Sequence, residues 1–353
     1  MNVSLFRLSP IPLLMLLIII FLTGCASSNS NYKEQSLDFV SANKRLSGFL
    51  MLPNKGEKPF PLLVFVHGDG ATPYDAFGYY PYLWRHLAER GIASFSWHKA
   101  GVKSSEGSWL KQSMHDRADE VIAAIDMLKQ RDDIAHNKIG LIGFSQGGWV
   151  LPLVAKKSAY PDYMVIVSGA INWLDQGDYL TKKRLQREGF SSAQIQQALR
   201  CNQLGLQVLQ PTTSYAEYLH YENTLSPQEC KPFAASPMSK ARFEFVKLNV
   251  NSDAREGLAT IQIPTLAVFG DKDINVDFTE SIGEYQRIFK ASGNIDLTTK
   301  VFPNAQHSLF KNKYIDANTS GVSSVIKMEV LGEKIFTEGY LNFVTNWVEQ
   351  VSQ

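Results

Sequence analysis

The sequence predicts an α/β fold: a mostly parallel, doubly wound sheet carrying a helical cap insertion. Three observations predict it. Short apolar runs typical of strands buried on both faces alternate with segments of helical spacing. These units recur at the spacing of strand–helix–strand crossovers. One long stretch, from about Ile171 to Arg255, breaks the rhythm and holds two or three helical patterns, including Ser192 to Leu209.

The first 24 residues stand outside the fold. Arg7 precedes an apolar run from Ile11 to Leu22, which is short for a bilayer span and suits the core of a secretory signal peptide. Leu22-Thr23-Gly24-Cys25 resembles a bacterial lipobox, in which small residues precede a cysteine that becomes lipidated. The resemblance implies cleavage before Cys25. The chain would then be exported and lipid-anchored, at the periplasmic side of the outer membrane in a Gram-negative cell, because Ala26 rather than Asp follows the cysteine. Residues 25–36 are polar, rich in Ser and Asn, and read as a tether.

The domain proper then spans residues 37–353. Leu37–Val40 and Leu46–Leu52 flank Ser41-Ala42-Asn43-Lys44 and predict an opening hairpin. Pro61–Val66 is a continuous apolar run that ends in His67-Gly68-Asp69-Gly70, a buried strand followed by a tight turn. Tyr79–Arg90 is helical in spacing and stops at Gly91; Ile92–Trp97 reads as a strand. Arg117–Gln130 presents Val121, Ile122, Ile125 and Leu128 at helical intervals. Lys138–Gly143 is a strand that runs through Ser145 into a helix over Trp149–Lys157. Tyr163–Ser168, Thr265–Gly270 and Leu297–Phe302 complete the strands, and Glu338–Val351 is a closing helix. The interruption, about residues 171–255, is read as a cap over the sheet edge where ligands bind. Both remaining cysteines, Cys201 and Cys230, fall in it. An oxidising compartment makes them disulfide candidates, with two buried thiols as the alternative.

Gly143-Phe144-Ser145-Gln146-Gly147 matches G-x-S-x-G, which by itself is a weak motif. Its context gives it weight. It lies between an apolar strand and a helix, where a sharp turn lifts a serine oxygen above the sheet. A serine needs a base to take its proton, and in this arrangement the chain order is Ser, then acid, then His. His307 is the histidine that follows the last two strands, whereas His220 lies within the cap. Gly270-Asp271-Lys272-Asp273 offers two carboxylates. The segment resembles the Gly-x-x-Asp spacing of related hydrolases, which implies Asp273 as the acid, with Asp271, read as a turn-forming residue, as the alternative. One candidate oxyanion donor is the backbone N–H of Gln146; His67-Gly68-Asp69-Gly70 resembles the His-Gly oxyanion loop of such hydrolases, which implies Asp69, or Gly68, as the other. A metal reading of His67-x-Asp69 lacks a third ligand at regular spacing, so no metal and no cofactor is expected.

Residues Pro61 to Gln306 resemble the α/β-hydrolase superfamily, nearest its bacterial esterase and dipeptidyl-aminopeptidase-like branches. Trp97-His98-Lys99-Ala100-Gly101-Val102-Lys103-Ser104 is similar to a segment written Asp-Lys-Arg-Gly-x-Gly-x-Ser in those proteins, with His98 and Ala100 replacing the acid and the arginine. His98 and His115 are expected to be structural or substrate-facing. The resemblance implies a serine hydrolase that cleaves carboxylic esters through an acyl-enzyme. A peptidase or amidase with the same triad is the alternative, and a non-catalytic binding lipoprotein is a third. Amide substrates would call for a charged pocket, for which the cap offers Glu188, Glu217, Glu222 and Glu229. The expected partners are a small ester or peptide substrate and a membrane, through the lipid. The net charge of +1 gives no electrostatic reason to expect nucleic acid.

Overall fold

A computed structural model describes residues 31–233, 236–316, 318–319 and 321–353. The expected signal peptide, Cys25 and the first part of the tether lie outside the described residues.

The strands are β1 (Tyr32–Ser36), β2 (Phe39–Ser41), β3 (Lys44–Leu46), β4 (Gly48–Pro53), β5 (Phe60–Val66), β6 (Ala93–Trp97), β7 (Ile134–Phe144), β8 (Tyr163–Val167), β9 (Thr265–Gly270) and β10 (Leu297–Phe302). Helices α1 (Tyr80–Glu89), α2 (Met114–Leu128) and α3 (Gly147–Lys157) lie between them. Helices α4 (Trp173–Arg187), α5 (Ser192–Gly205), α6 (Tyr215–His220), α7 (Lys240–Asn249) and α8 (Arg255–Leu258) separate β8 from β9. Helices α9 (Phe278–Ser292), α10 (Gly321–Leu331) and α11 (Tyr340–Ser352) complete the chain.

Eight strands form one sheet in the order β1-β4-β6-β5-β7-β8-β9-β10, and β2 and β3 pair separately. From β6 to β10 all neighbours are parallel, while β4 runs antiparallel to both β1 and β6. Alternation along β5 supplies both cores. Leu62, Val64 and Val66 pack on the side of α2 and α3, and Leu63 and Phe65 pack on the side of α1 and α11.

Several boundaries differ from the sequence expectation. Residues 32–36, assigned to the tether, form edge strand β1, which pairs with β4 and sets Tyr32 edge-on against Trp84. An edge strand with mostly exposed side chains carries a linker's composition. The opening hairpin is shorter than predicted. Ala42 and Asn43, both at positive φ, join β2 to β3 alone, and β4 returns to pair with β1. Helix α2 also starts earlier than its apolar spacing suggests, because Ser113 and Asp116 form a capping box.

The chain passes from β5 outward to β6, then back across β5 to β7. Strand order therefore reverses between β5 and β7, which opens a crevice at their carboxyl ends. The cap's neck closes with Ala254 N–H donating to Ile171 O (2.8 Å) and Trp173 N–H donating to Ser252 O (3.0 Å).

Candidate active site

Apolar β7 carries the chain to Phe144, and α3 begins at Gly147. Between them Ser145 adopts a φ of +50°, a conformation that costs a non-glycine residue about 1–3 kcal/mol. The turn is held by Ser145 N–H donating to Val167 O (2.8 Å) and Gly148 N–H donating to Ser145 O (2.8 Å). A side chain at position 147 would sit 2.9 Å from Val66 O, so only glycine lets α3 start this close to β5. The Ser145 side chain emerges half-buried at the crevice.

Asp273 follows β9, and its carboxylate is fully buried. Its Oδ1 accepts the N–H groups of Asn275 (2.7 Å) and Val276 (3.0 Å). Its Oδ2 lies 2.7 Å from His307 Nδ1. A carboxylate accepts only, so Nδ1 carries the proton and Nε2 presents a free lone pair. Burial pulls the His307 pKa down, but the Asp273 charge and hydrogen bond outweigh it and leave the pKa raised. His307 has to approach across the end of β9, since β10 is the edge strand. Residues 303–307 do cross there: Lys272 N–H donates to Ala305 O (2.9 Å), and a Cβ on Gly270 would fall 2.3 Å from that oxygen. Tyr79 ties this loop to β7. Its hydroxyl donates to Ser308 O (3.1 Å), and its ring meets Phe144 edge-on at 5.7 Å. Asp271 lies 3.4 Å from Lys272 and makes no contact with His307. The hydrogen bond that His307 makes is to Asp273; none joins its Nε2 to Ser145 Oγ.

On the other flank of Ser145 lies the loop after β5. His67 is buried, with Nε2 donating to Trp97 O (2.6 Å) and Nδ1 accepting from Tyr80 Oη (2.9 Å). Burial, with neighbouring Lys99 and Arg117, holds its pKa at about 3, so the ring is neutral. Both nitrogens are engaged, which makes His67 an anchor for the loop and leaves no lone pair for a metal. A Cβ on Gly68 would lie 3.4 Å from that of Ser145, so the loop runs directly against Ser145. The buried Lys99 ammonium donates to Gly68 O (2.9 Å), and buried Arg117 donates to His67 O and to Gln146 Oε1 (2.6 Å). Carbonyl and N–H point in opposite directions across a trans peptide. Fixing Gly68 O on Lys99 therefore turns the Asp69 N–H away from Lys99. The N–H groups of Asp69 and Gln146 make no backbone hydrogen bond among the described residues.

Asp69 also meets the cap. Its carboxylate receives Gln146 Nε2 (3.2 Å) and two nitrogens of Arg242 on α7, at 3.1 and 2.9 Å. Burial raises the Asp69 pKa, but Arg242 and then Lys99 outweigh it and hold the carboxyl below its ordinary range. Lys99, Arg117 and Arg242 have no role assigned from sequence. One signal was available for Arg117: it occupies the core-facing stripe of α2 with Val121 and Ala124, where an unexplained charge marks a buried partner.

The remaining candidates are placed as follows. His98 is buried and accepts from Tyr74 N–H (3.0 Å). The carbonyl of exposed His115 accepts from Lys157. Cys201 and Cys230 are joined as a disulfide with a Cα–Cα distance of 5.6 Å. The cap holds a cavity of about 760 Å³ with apolar Leu174, Leu206, Tyr221 and Phe233 in its lining. Glu222 lines that cavity, and burial raises its pKa. Glu188, Glu217 and Glu229 are exposed. Among the described residues, no cluster of His, Cys, Asp and Glu could hold a metal.

Against known proteins, a family model described as serine aminopeptidase, S33, matches residues 57–313. Esterase EstD of Thermotoga maritima is 23% identical over an alignment of 282 residues that covers 76% of this chain; the chain spans 59% of that relative's length. Among solved structures, Est1E of Butyrivibrio proteoclasticus with ferulic acid bound has a TM-score of 0.53 at 15% identity, covering 89% of this chain and 96% of that one. Esterase Pf2001 of Pyrococcus furiosus has a TM-score of 0.53 at 14% identity, covering 93% and 96%. At such identities these two structures show a shared fold.

Proposed function

The chain belongs to the serine aminopeptidase S33 family of α/β hydrolases, and from that premise we propose that it is a serine hydrolase cleaving carboxylic esters through an acyl-enzyme. The observations that support this reading are the strained Ser145 turn with the His67–Gly70 loop beside it, and the hydrogen-bonded Asp273–His307 pair past the end of β9.

In this reading His307 Nε2 takes the proton of Ser145 as Oγ attacks the ester carbonyl carbon. The imidazolium that forms is stabilised by Asp273, which stays ionised. The negative charge that develops on the carbonyl oxygen is met by the N–H groups of Gln146 and Asp69, the former at the N-terminus of α3. His307 then gives its proton to the leaving alkoxide. Water, activated by the same imidazole, releases the acid and restores Ser145.

A second reading, cleavage of amides or peptides, is favoured by one observation. Glu222 is a desolvated carboxylate lining the cap cavity, suited to a cationic amine. The triad serves both reactions. Labelling with a fluorophosphonate, followed by a panel of acyl esters and aminoacyl amides, tests both. The esterase reading requires Ser145 to be labelled, Ser145→Ala to fold without reacting, and esters to turn over faster than matched amides. Wild-type-like turnover by Ser145→Ala would remove the mechanism altogether. Faster amide turnover that collapses in Glu222→Gln would favour the peptidase.

We also propose export and anchoring through a lipid on Cys25, to the outer membrane in a Gram-negative cell. The N-terminal residues support this reading, and the Cys201–Cys230 disulfide is compatible with an oxidising compartment.

A further inference from the structure

Asp69 poses a chemical question. It occupies the position whose backbone N–H faces the developing oxyanion in the proposed reaction. A carboxylate there sets a negative charge beside a centre that becomes negative, which opposes the reaction unless the charge is held and neutralised. The structure shows how it is held. Arg242 reaches from the cap and engages both carboxylate oxygens, at 3.1 and 2.9 Å, in the fork geometry that fixes direction as well as distance. Gln146, whose own N–H is the other donor, holds Oδ1 at 3.2 Å. One carboxylate therefore links the two donor residues to a cap helix.

That helix is firmly seated. Asn249 of α7 accepts from Met114 N–H (3.0 Å) and donates to Gln112 O (3.0 Å), which pins α7 to the start of α2. Phe245 is fully buried, meets Trp109 at 5.4 Å, and carries the Arg242 guanidinium over its ring at 4.9 Å. Arg242 is thus aimed by a docked helix. Both partners of the ion pair are part-exposed, with side-chain exposures of 35% and 43%. An open pair of this kind adds little to fold stability, so its consequence is positional.

We propose that Arg242 is a positioning residue supplied by the cap: by clamping the Asp69 carboxylate it fixes the second oxyanion donor, so that turnover at Ser145 depends on a seated α7. The proposal rests on the esterase reading above for its kinetic consequence, but not for its geometry.

The test compares the full chain with Arg242→Ala, Arg242→Lys, Asp69→Asn and the Asp69→Asn/Arg242→Ala double variant. Two readouts are used: steady-state hydrolysis of p-nitrophenyl acetate, and hydrogen exchange of the segment covering residues 67–70. Arg242→Ala should lower kcat by about tenfold or more, below the loss for deleting a whole donor, with KM nearly unchanged. Arg242→Lys should recover part of that loss. The double variant should be no worse than the poorer single variant, because both remove the same link. Exchange in residues 67–70 should quicken in Arg242→Ala and in Asp69→Asn, while β7 stays protected and the thermal midpoint holds. A kcat for Arg242→Ala within about twofold of wild type, additive losses in the double variant, or unchanged exchange at 67–70 would each overturn the proposal. Quicker exchange in a chain whose wild type neither hydrolyses the ester nor takes a fluorophosphonate would uphold the clamp and remove the esterase reading instead.

Discussion

Asp273 gives each carboxylate oxygen a separate task. Oδ1 is held by two backbone N–H groups, and Oδ2 is left to hold the His307 ring and its proton. This has a consequence for pH. His307 has to be neutral to accept the serine proton, and Asp273 raises its pKa above the ordinary 6.5. Activity should therefore rise with pH through one ionisation lying above that value. In Asp273→Asn the charge that raises the pKa is gone and the lowering effect of burial remains, so this limb should move below 6.5. In the same variant kcat should fall by about four orders of magnitude, the scale known for such triads. Asp271→Asn, which loses only its pairing with Lys272, should keep both kcat and the pH limb. A pH–rate profile of the three proteins checks this: a crippled Asp271→Asn beside a normal Asp273→Asn would reverse the assignment. The positions of Ser145 and Asp273 just past strand ends were legible in the sequence because β7 and β9 are apolar runs, and His307 was picked out by its order after β10. The clamp on Asp69 was not legible. Arg242 lies 173 positions away in an irregular insertion, where no local pattern connects the two.

At the scale of elements, the same contrast holds between strands buried on both faces and everything else. The central strands announce themselves because parallel strands covered by helices are continuously apolar. β1 is polar because its side chains are largely exposed, and only its backbone pairing with β4 makes it a strand. In the cap, periodicity marks helices but not their arrangement, which depends on distant contacts. Cys201 on α5 and Cys230 after α6 supply one such contact, closing a loop with a sequence separation of 29. The chain-entropy model gives a bridge of that span about 3.5 kcal/mol, drawn from the freedom it removes from the unfolded chain. The second prediction follows: Cys201→Ser, or reduction of the wild type, should shift urea unfolding of the cap by an amount of that order. The α2 and α3 core, which the bridge does not touch, should unfold as before. Hydrogen exchange followed peptide by peptide at each urea concentration separates the cap from α2 and α3; identical curves with and without reductant would show that the bridge contributes nothing.

For the whole molecule, the reacting groups and the proposed membrane attachment belong to separate stretches of chain. Every candidate catalytic residue lies between Gly68 and His307, on loops fixed by the central strands. Among the described residues, no helix is long and apolar enough to cross a membrane. The proposed attachment lies with the N-terminal residues, where the apolar run and Leu22-Thr23-Gly24-Cys25 occur. A lipid contributes about 0.8 kcal/mol per buried methylene, so losing it should release the protein almost completely. Cys25→Ser should leave membrane pellets, or accumulate as an uncleaved precursor retaining its apolar run. The released form should hydrolyse a water-soluble ester with an unchanged kcat, because β5 to β10 and the cap are untouched. Fractionation of the expressing cell, with turnover measured on each fraction, reads both outcomes. A processed Cys25→Ser protein that still pellets with the membrane would refute the lipid. A released form with altered kcat would mean that the N-terminal segment reaches the reacting groups after all.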